Sequence, residues 1–233
     1  NKNTGAIMAK FTFATEEGGF DNHIIHSIRG YRELNKDIIK FSEYFIEEGC
    51  SVLDIGCSTG RLIREMKARN EKRANNCKYY GIEMESNFEN FLIDMENLNF
   101  LKMDIREFDW KKGINNCCLV TSIFTLQFIP KKDRLDIIKN IYSNLNKGGA
   151  FIFSEKINSP DAQIEEMITF CYYDWKNQYF SSEQILEKER SLRSMMKLLT
   201  LDEILSMLTE AGFKKTQLFW QNFNFIGIIA IKD

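Results

Sequence analysis

Apolar residues recur at helical spacing at Leu34, Ile38, Phe41 and Phe45, which predicts one amphipathic helix over about residues 31–47. The pattern then shortens to SVLDIG, a β-branched run that stops at Gly56 and passes into RLIREM, reading as strand, turn and helix. YYGIEM repeats the strand signal. Ser86 with Glu89 has the form of a capping box ahead of Phe88, Phe91, Leu92 and Met95, so a second helix is expected there. LKMDI and CCLVTSIFTLQFI predict two more strands. Pro130 opens a helix carrying Leu135, Ile138, Ile141, Tyr142 and Leu145, expected to end at Gly148 and Gly149, and GGAFIFSEK supplies a fifth strand. Thr200 and Glu203 form another capping box before the stripe Leu201, Ile204, Leu205 and Leu208, with Gly212 as the stop. TQLFWQNFNFIGIIAIKD ends the chain as two strands joined by a tight connection.

Strands alternating with helices imply right-handed crossovers and a sheet covered on both faces. The expected fold is therefore α/β and Rossmann-like: a seven-stranded, mostly parallel sheet with an antiparallel last strand. Residues 157–198 break the alternation with helical, aromatic and charged sequence, read as a lobe inserted within a single domain spanning 1–233. Ligands of such sheets bind beyond the carboxyl ends of the strands where the strand order reverses, which directs the search to Gly56–Gly60 and the later strand ends.

Composition narrows the class. The chain has 233 residues, 44% hydrophobic and only 2 prolines, which excludes disordered and fibrous types. No run reaches the roughly 20 apolar residues of a membrane span, and the Asn/Lys-rich start has no apolar leader, so a cytoplasmic protein without a membrane partner is expected. A net charge of -2 lacks the basic excess of phosphate binders, so no direct nucleic-acid binding is expected. The six cysteines show no CxxC spacing and are expected as reduced, mostly buried thiols. His23 and His26 lack a third ligand nearby, so no metal site is expected.

The chemistry concentrates at VLDIGCSTG. Asp54 stands two residues before Gly56, and Gly60 closes the turn, with Cys57, Ser58 and Thr59 between the glycines. Glycine is expected there to let a ligand approach the backbone closely. A dinucleotide fingerprint would carry an extra glycine for a pyrophosphate, whereas an acid before the first glycine suits a ligand with a cationic amino group. Glu83 ends the second strand, 23 residues beyond Gly60, near the spacing at which a carboxylate accepts both hydroxyls of a ribose. Asp104 ends a third strand and could accept from an adenine amino group, with Ile105 packing on the ring. The alternative for Glu83 is a solvated strand-end acid, and for DIGCSTG an ordinary strand-turn-helix corner.

DIGCSTG resembles motif I of class I S-adenosylmethionine-dependent methyltransferases. SIRGY (27–31), FTLQF (124–128), NKGGAFIFSEK (146–156), the ERS of 189–191 and WQNFNF (220–225) further resemble the carboxy-S-adenosyl-L-methionine synthases, from about Phe20 to the C-terminus. That resemblance implies S-adenosyl-L-methionine, carboxy-S-adenosyl-L-methionine or S-adenosylhomocysteine as the bound molecule, and prephenate as the small-molecule substrate. Prephenate would lose its carboxyl group to the S-methyl carbon and leave phenylpyruvate, the product serving as a carboxymethyl donor in tRNA wobble-uridine modification.

It implies Tyr31 in contact with the cofactor, Gly56, Cys57 and Ser58 at its methionyl portion, Glu83 and Met84 at the ribose and adenine edge, and Asp104 and Ile105 at the adenine. Arg190 would grip the new carboxylate as the catalytic residue, because a planar guanidinium offers two parallel donors. A homodimer is implied, with the inserted lobe as the natural interface. The chain departs from the family at Arg29, where the family has proline, at Glu83, where it has Asp, and at Ile123, where it has Asn near the reacting end of the cofactor. Two other readings remain open. One is a methyltransferase acting on a small molecule or RNA; the other is a cofactor-binding subunit without chemistry. Tyr172, Tyr173, Trp175, Tyr179 and Phe180 are either a lid over an aromatic substrate or only the lobe's own core and a dimer contact.

Overall fold

The strand signals form one sheet because each run can be buried between helices on both sides; β1 and nearly all of β4 are inaccessible to solvent. The structure, a computed structural model, describes residues 19–112 and 114–233; the Asn/Lys-rich start lies outside them. In chain order the elements are α1 (Phe20–Ser27), α2 (Tyr31–Ser42), β1 (Ser51–Ile55), α3 (Arg61–Asn70), β2 (Lys78–Glu83), β3 (Leu98–Lys102), β4 (Cys117–Ile123), α4 (Lys131–Asn144), β5 (Leu145–Lys156), α5 (Ala162–Lys176), α6 (Ser182–Arg193), α7 (Leu201–Ala211), β6 (Lys215–Asn222) and β7 (Phe225–Ile231). Short 3-10 turns occupy Ser86–Phe91, Ile105–Glu107 and Leu126–Phe128. No helix among the described residues is long and apolar enough to cross a membrane.

The sheet order is β3-β2-β1-β4-β5-β7-β6. Strands β3 to β5 pair in parallel, and β7 runs antiparallel between β5 and β6. Leu53, Phe151 and Phe153 face α4 and α7 on one side, where Ile138, Ile141, Ile204 and Leu208 are buried. Val52 and Ile152 face α2 and α3 on the other, against Leu34, Ile38, Ile63 and Met66. Strand order reverses between β1 and β4, so the crevice lies over Ile55–Gly56 and Ile123.

Several boundaries differ from the sequence expectation. Helix α2 stops at Ser42 rather than near residue 47, because the Ser42 hydroxyl donates to Ile39 O (2.6 Å) and accepts from Asn70 Nδ2 (2.8 Å), fixing the turn that buries Ile46. The Ser86–Glu89 capping box does not form. Glu85 caps a 3-10 turn instead, and the chain must reverse at once so that Asp94 Oδ1 can accept from Phe100 N (2.7 Å) in the middle of β3. Helix α4 ends at Asn144, and Gly148 and Gly149 lie inside β5, Gly148 at a φ of 79°. Both Thr200–Glu203 and the Gly212 stop are as expected. Cys50 and Cys118 are joined in a disulfide, where reduced thiols were expected; the parallel pairing of Ser51 with Cys117 sets the two chains side by side at that point. Cys57, Cys77 and Cys117 are free and buried, and Cys171 is free and exposed.

The loop after β4 is held from below by a buried polar network. Gln127 N donates to Glu155 Oε1 (3.2 Å), Gln127 Oε1 accepts from Lys156 N (2.7 Å), and Arg134 donates to Ile129 O (2.8 Å) and Gln127 O (3.0 Å). Burial pushes the Glu155 carboxyl up to about 8, against the opposing charge of Arg134. Such a group binds its proton more tightly in the folded chain than in the unfolded one. Its contribution is therefore complete on the acid side and is lost as pH climbs from the ordinary carboxylate range through about 8. Denaturant titrations should show this decline at no more than about 1.4 kcal/mol per pH unit for the one proton. Glu155→Gln should remove Glu155's share of the slope while keeping the fold at pH 7.

Candidate active site

The crevice holds two cavities. The larger, about 480 Å³, runs from Glu83, Met84, Asp104 and Ile105 past Gly56 and Ile123 to Lys156 under α5 and α6. The smaller, about 160 Å³, is lined by Tyr31, Asp54, Cys57 and Thr59. Gly56, Ser58 and Ile123 line both, so they stand at the junction.

Each predicted residue can be placed. Glu83 ends β2 and is buried; its Oε2 accepts from Ser58 N (2.9 Å) and its Oε1 from Glu85 N (2.8 Å). Two backbone donors thus fix the carboxylate plane, and each oxygen keeps a lone-pair direction for a ligand hydroxyl. Burial raises its pKa, opposed by those backbone hydrogen bonds. Asp54 is buried in β1, where Thr121 Oγ1 donates to its Oδ1 (2.7 Å). Burial pushes the Asp54 carboxyl up to about 7, the Thr121 bond lowering it and the Glu83 charge raising it further. Asp104 caps the turn at Ile105, accepting from Arg106 N (2.9 Å) and pairing with the Arg106 guanidinium, which holds its carboxyl below the usual range. Ile105 is buried in the wall, and Met84 is largely exposed at the rim.

The glycines act differently from expectation. A Cβ on Gly56 would lie 2.2 Å from Thr125 Oγ1, and the backbone there has a φ of +71°. Its missing side chain makes room for the loop after β4, not directly for a ligand. Gly60, at φ +72° and packed on Phe100, lines neither cavity and serves as the left-handed entry to α3. Arg190 also lines neither cavity of its own chain. On α6 the residues facing inward are Lys188, Glu189 and Leu192, while Leu186, Arg190 and Arg193 share the exposed outer face at four- and three-residue steps.

Sequence reasoning missed Lys156, Lys176 and Lys188, all on the cavity wall. Lys156 lies within the quoted SEK motif, and that was the available signal. Of the lobe's aromatic group, Tyr172 lines the larger cavity and is itself buried, its hydroxyl donating to Ser27 O (2.7 Å).

The larger cavity has the size of a small-molecule site. A buried carboxylate at one end and a second one in the side cavity suit an elongated ligand with a diol at Glu83 and a cationic amino group at Asp54. S-adenosylmethionine has those two ends. The comparisons agree. The methyltransferase domain family matches residues 25–218. The structure resembles human N-acetylserotonin methyltransferase in complex with SAM, at a TM-score of 0.55 and 15% identity, covering 85% of this chain and 51% of that one. Fold and site define an S-adenosylmethionine-dependent transferase of the class I methyltransferase type.

A narrower kinship follows from sequence. The chain is 36% identical to the carboxy-S-adenosyl-L-methionine synthase of Staphylococcus epidermidis, over 96% of this chain and 97% of that one. It is 32% identical to that of Shewanella oneidensis, over 97% and 94%. The chain belongs to the carboxy-S-adenosyl-L-methionine synthase family.

A cationic amino group held at Asp54 would bind the ionised form of its carboxyl. Affinity for S-adenosylmethionine should therefore rise between about pH 6 and pH 8, as the carboxyl loses its proton. Calorimetric titration should show Asp54→Asn binding about tenfold or more weakly at pH 8 with most of that rise gone. Glu83→Gln should weaken binding by a similar factor.

Proposed function

We propose that the protein carboxylates S-adenosylmethionine at the expense of prephenate: the ring carboxyl leaves as carbon dioxide and is taken up by the S-methyl carbon, the ring hydroxyl leaves as hydroxide and takes the S-methyl proton to give water, and phenylpyruvate is released; the product is a carboxymethyl donor for tRNA wobble-uridine modification in the cytoplasm. The observation that carries the reading is the two-cavity crevice joined at Gly56, Ser58 and Ile123 in a chain of this family. When bound, the cofactor supplies the S-methyl carbon that takes the carboxyl group. The chain's own residues do the rest. Glu83 fixes the ribose, Asp54 and Tyr31 receive the amino-acid end, and Ile123 lines the junction where the sulfonium falls. The loop from Phe124 to Phe128, held by Glu155, covers the reacting end.

Arg190 enters this scheme through a homodimer. Its helix face is exposed, and the same two helices expose Ile164, Met167, Phe170 and Leu186, from 46% to 60% accessible. A twofold contact through these helices would bury those side chains and carry Arg190 toward the neighbouring crevice. The lobe over 157–198 then serves both as the cover of its own cavity and as the interface.

Mass spectrometry of a reaction with and without prephenate tests the proposal. A prephenate-dependent species heavier than S-adenosylmethionine by one carboxyl group is the expected product. Its absence, with S-adenosylmethionine still bound, would leave a methyltransferase with another acceptor, the reading Ile123 favours by removing a polar contact. Arg190→Lys should lose most of the product, about tenfold or more, with S-adenosylmethionine affinity unchanged, because a lysine cannot make the paired hydrogen bonds. Sedimentation should give a dimer.

A further inference from the structure

Thr121 lies within β4 and is fully buried, between its pairing partners Asp54 of β1 and Ile152 of β5. Its Oγ1 donates to Asp54 Oδ1 at 2.7 Å, the one hydrogen bond that the Asp54 side chain accepts among the described residues. Valine has nearly the same shape and would fill the position with no polar atom to satisfy, so packing alone does not call for the hydroxyl. Asp54 lines the smaller cavity, whereas Thr121 lines neither cavity and reaches a ligand only through Asp54.

An irregularity at the start of the two strands sets this pairing. Ser51 pairs with Cys117 but Val52 pairs with Leu119, so Cys118 is an extra residue in β4, and the disulfide joins it to Cys50. In an unbroken register Val120 would stand beside Asp54, and the Thr121 side chain would lie on the other face of the sheet. One added residue thus brings a donor to a carboxylate that is otherwise without one. Burial pushes the Asp54 carboxyl up to about 7; the Thr121 bond works against that rise, and the Glu83 charge at the end of β2 adds to it. Tyr31 on α2 and Cys57 in the turn are themselves raised, first by burial and further by the charge of Asp54. Asp21 on α1, Arg32 and Lys36 on α2, and Arg61 and Glu65 on α3 line the same cavity without a hydrogen bond to Asp54.

We propose that Thr121 is a positioning residue for the cofactor: by holding one carboxylate oxygen of Asp54 it fixes the carboxylate plane and leaves the other oxygen to the ammonium group of S-adenosylmethionine. This rests on the reading of Asp54 as the amino-group site and deepens it. A donor on Oδ1 also favours the charged carboxylate over the protonated one, so the hydroxyl sets the pH above which the ammonium group is held.

The test is calorimetric titration of S-adenosylhomocysteine, which carries the same amino-acid end, into the parent, Thr121→Val and Thr121→Ser over a range from about pH 5.5 to about pH 8.5. In the parent, affinity should rise through about pH 7 as the Asp54 carboxyl ionises. Thr121→Val should move that rise upward by about one pH unit, weakening binding up to about tenfold below neutral pH and much less at the alkaline end. Thr121→Ser keeps the hydroxyl and should restore the parent profile. 5′-Methylthioadenosine, which lacks the amino-acid end, should bind the parent and Thr121→Val alike at each pH. If Thr121→Val keeps the parent profile, loses affinity equally at every pH, or weakens 5′-methylthioadenosine as much, the positioning role is refuted while Asp54 keeps its place. If the parent shows no rise and Asp54→Asn binds as tightly as the parent, the amino-group reading of Asp54 fails, and the role of Thr121 falls with it.

Discussion

The contact between Thr125 and Gly56 sets the rest of the site. The turn after β1 and the loop after β4 come so close that no side chain fits on Gly56, and the same turn needs the left-handed backbone that glycine adopts without strain. Because the two segments touch there, the crevice at the switch point is divided rather than open. One compartment lies over β1 and α2; the other runs across the strand ends from β3 to β5. A ligand filling both must bend at Gly56, Ser58 and Ile123. The division depends in turn on Gln127, which Glu155 and Arg134 hold from within the core, so FTLQF and SEK are two halves of one structural device.

The compartments differ in their charged lining. Acids end β1, β2 and the turn after β3, and lysines end β5 and face inward from α5 and α6. Both sets are partly or wholly removed from water, where charge interactions are stronger than at a surface. The acidic side suits a sulfonium cofactor with a free amino group. Ile123 sits at the boundary and contributes no charge to either side.

Much of this arrangement was legible in the chain because it is local. A β-branched run ending at glycine, an acid two residues before it, and an acid at the next strand end are short-range patterns, and all appear where expected. The failures came where a local signal lost to a tertiary demand. Ser86 and Glu89 have the spacing of a cap, but the chain must turn into β3 within a few residues, and Asp94 holds that reversal. Gly148 and Gly149 look like a helix stop, yet they lie within β5, whose pairing with β4 is irregular at that point. The disulfide between Cys50 and Cys118 depends on strand register, which spacing along the chain does not disclose.

The lysines and Arg190 show the same limit at the level of function. In EKERSLR the charges are crowded, and composition alone cannot say which face of the helix each occupies. The fold decides it: Lys188 and Glu189 turn inward, and Arg190, one residue further, turns out. An inward residue acts on its own crevice. An outward one acts only if another surface is brought to it; α5 and α6 also expose Ile164, Met167, Phe170 and Leu186. The inward lysines and the outward arginine therefore have different surroundings, the first a cavity wall and the second an exposed helix face.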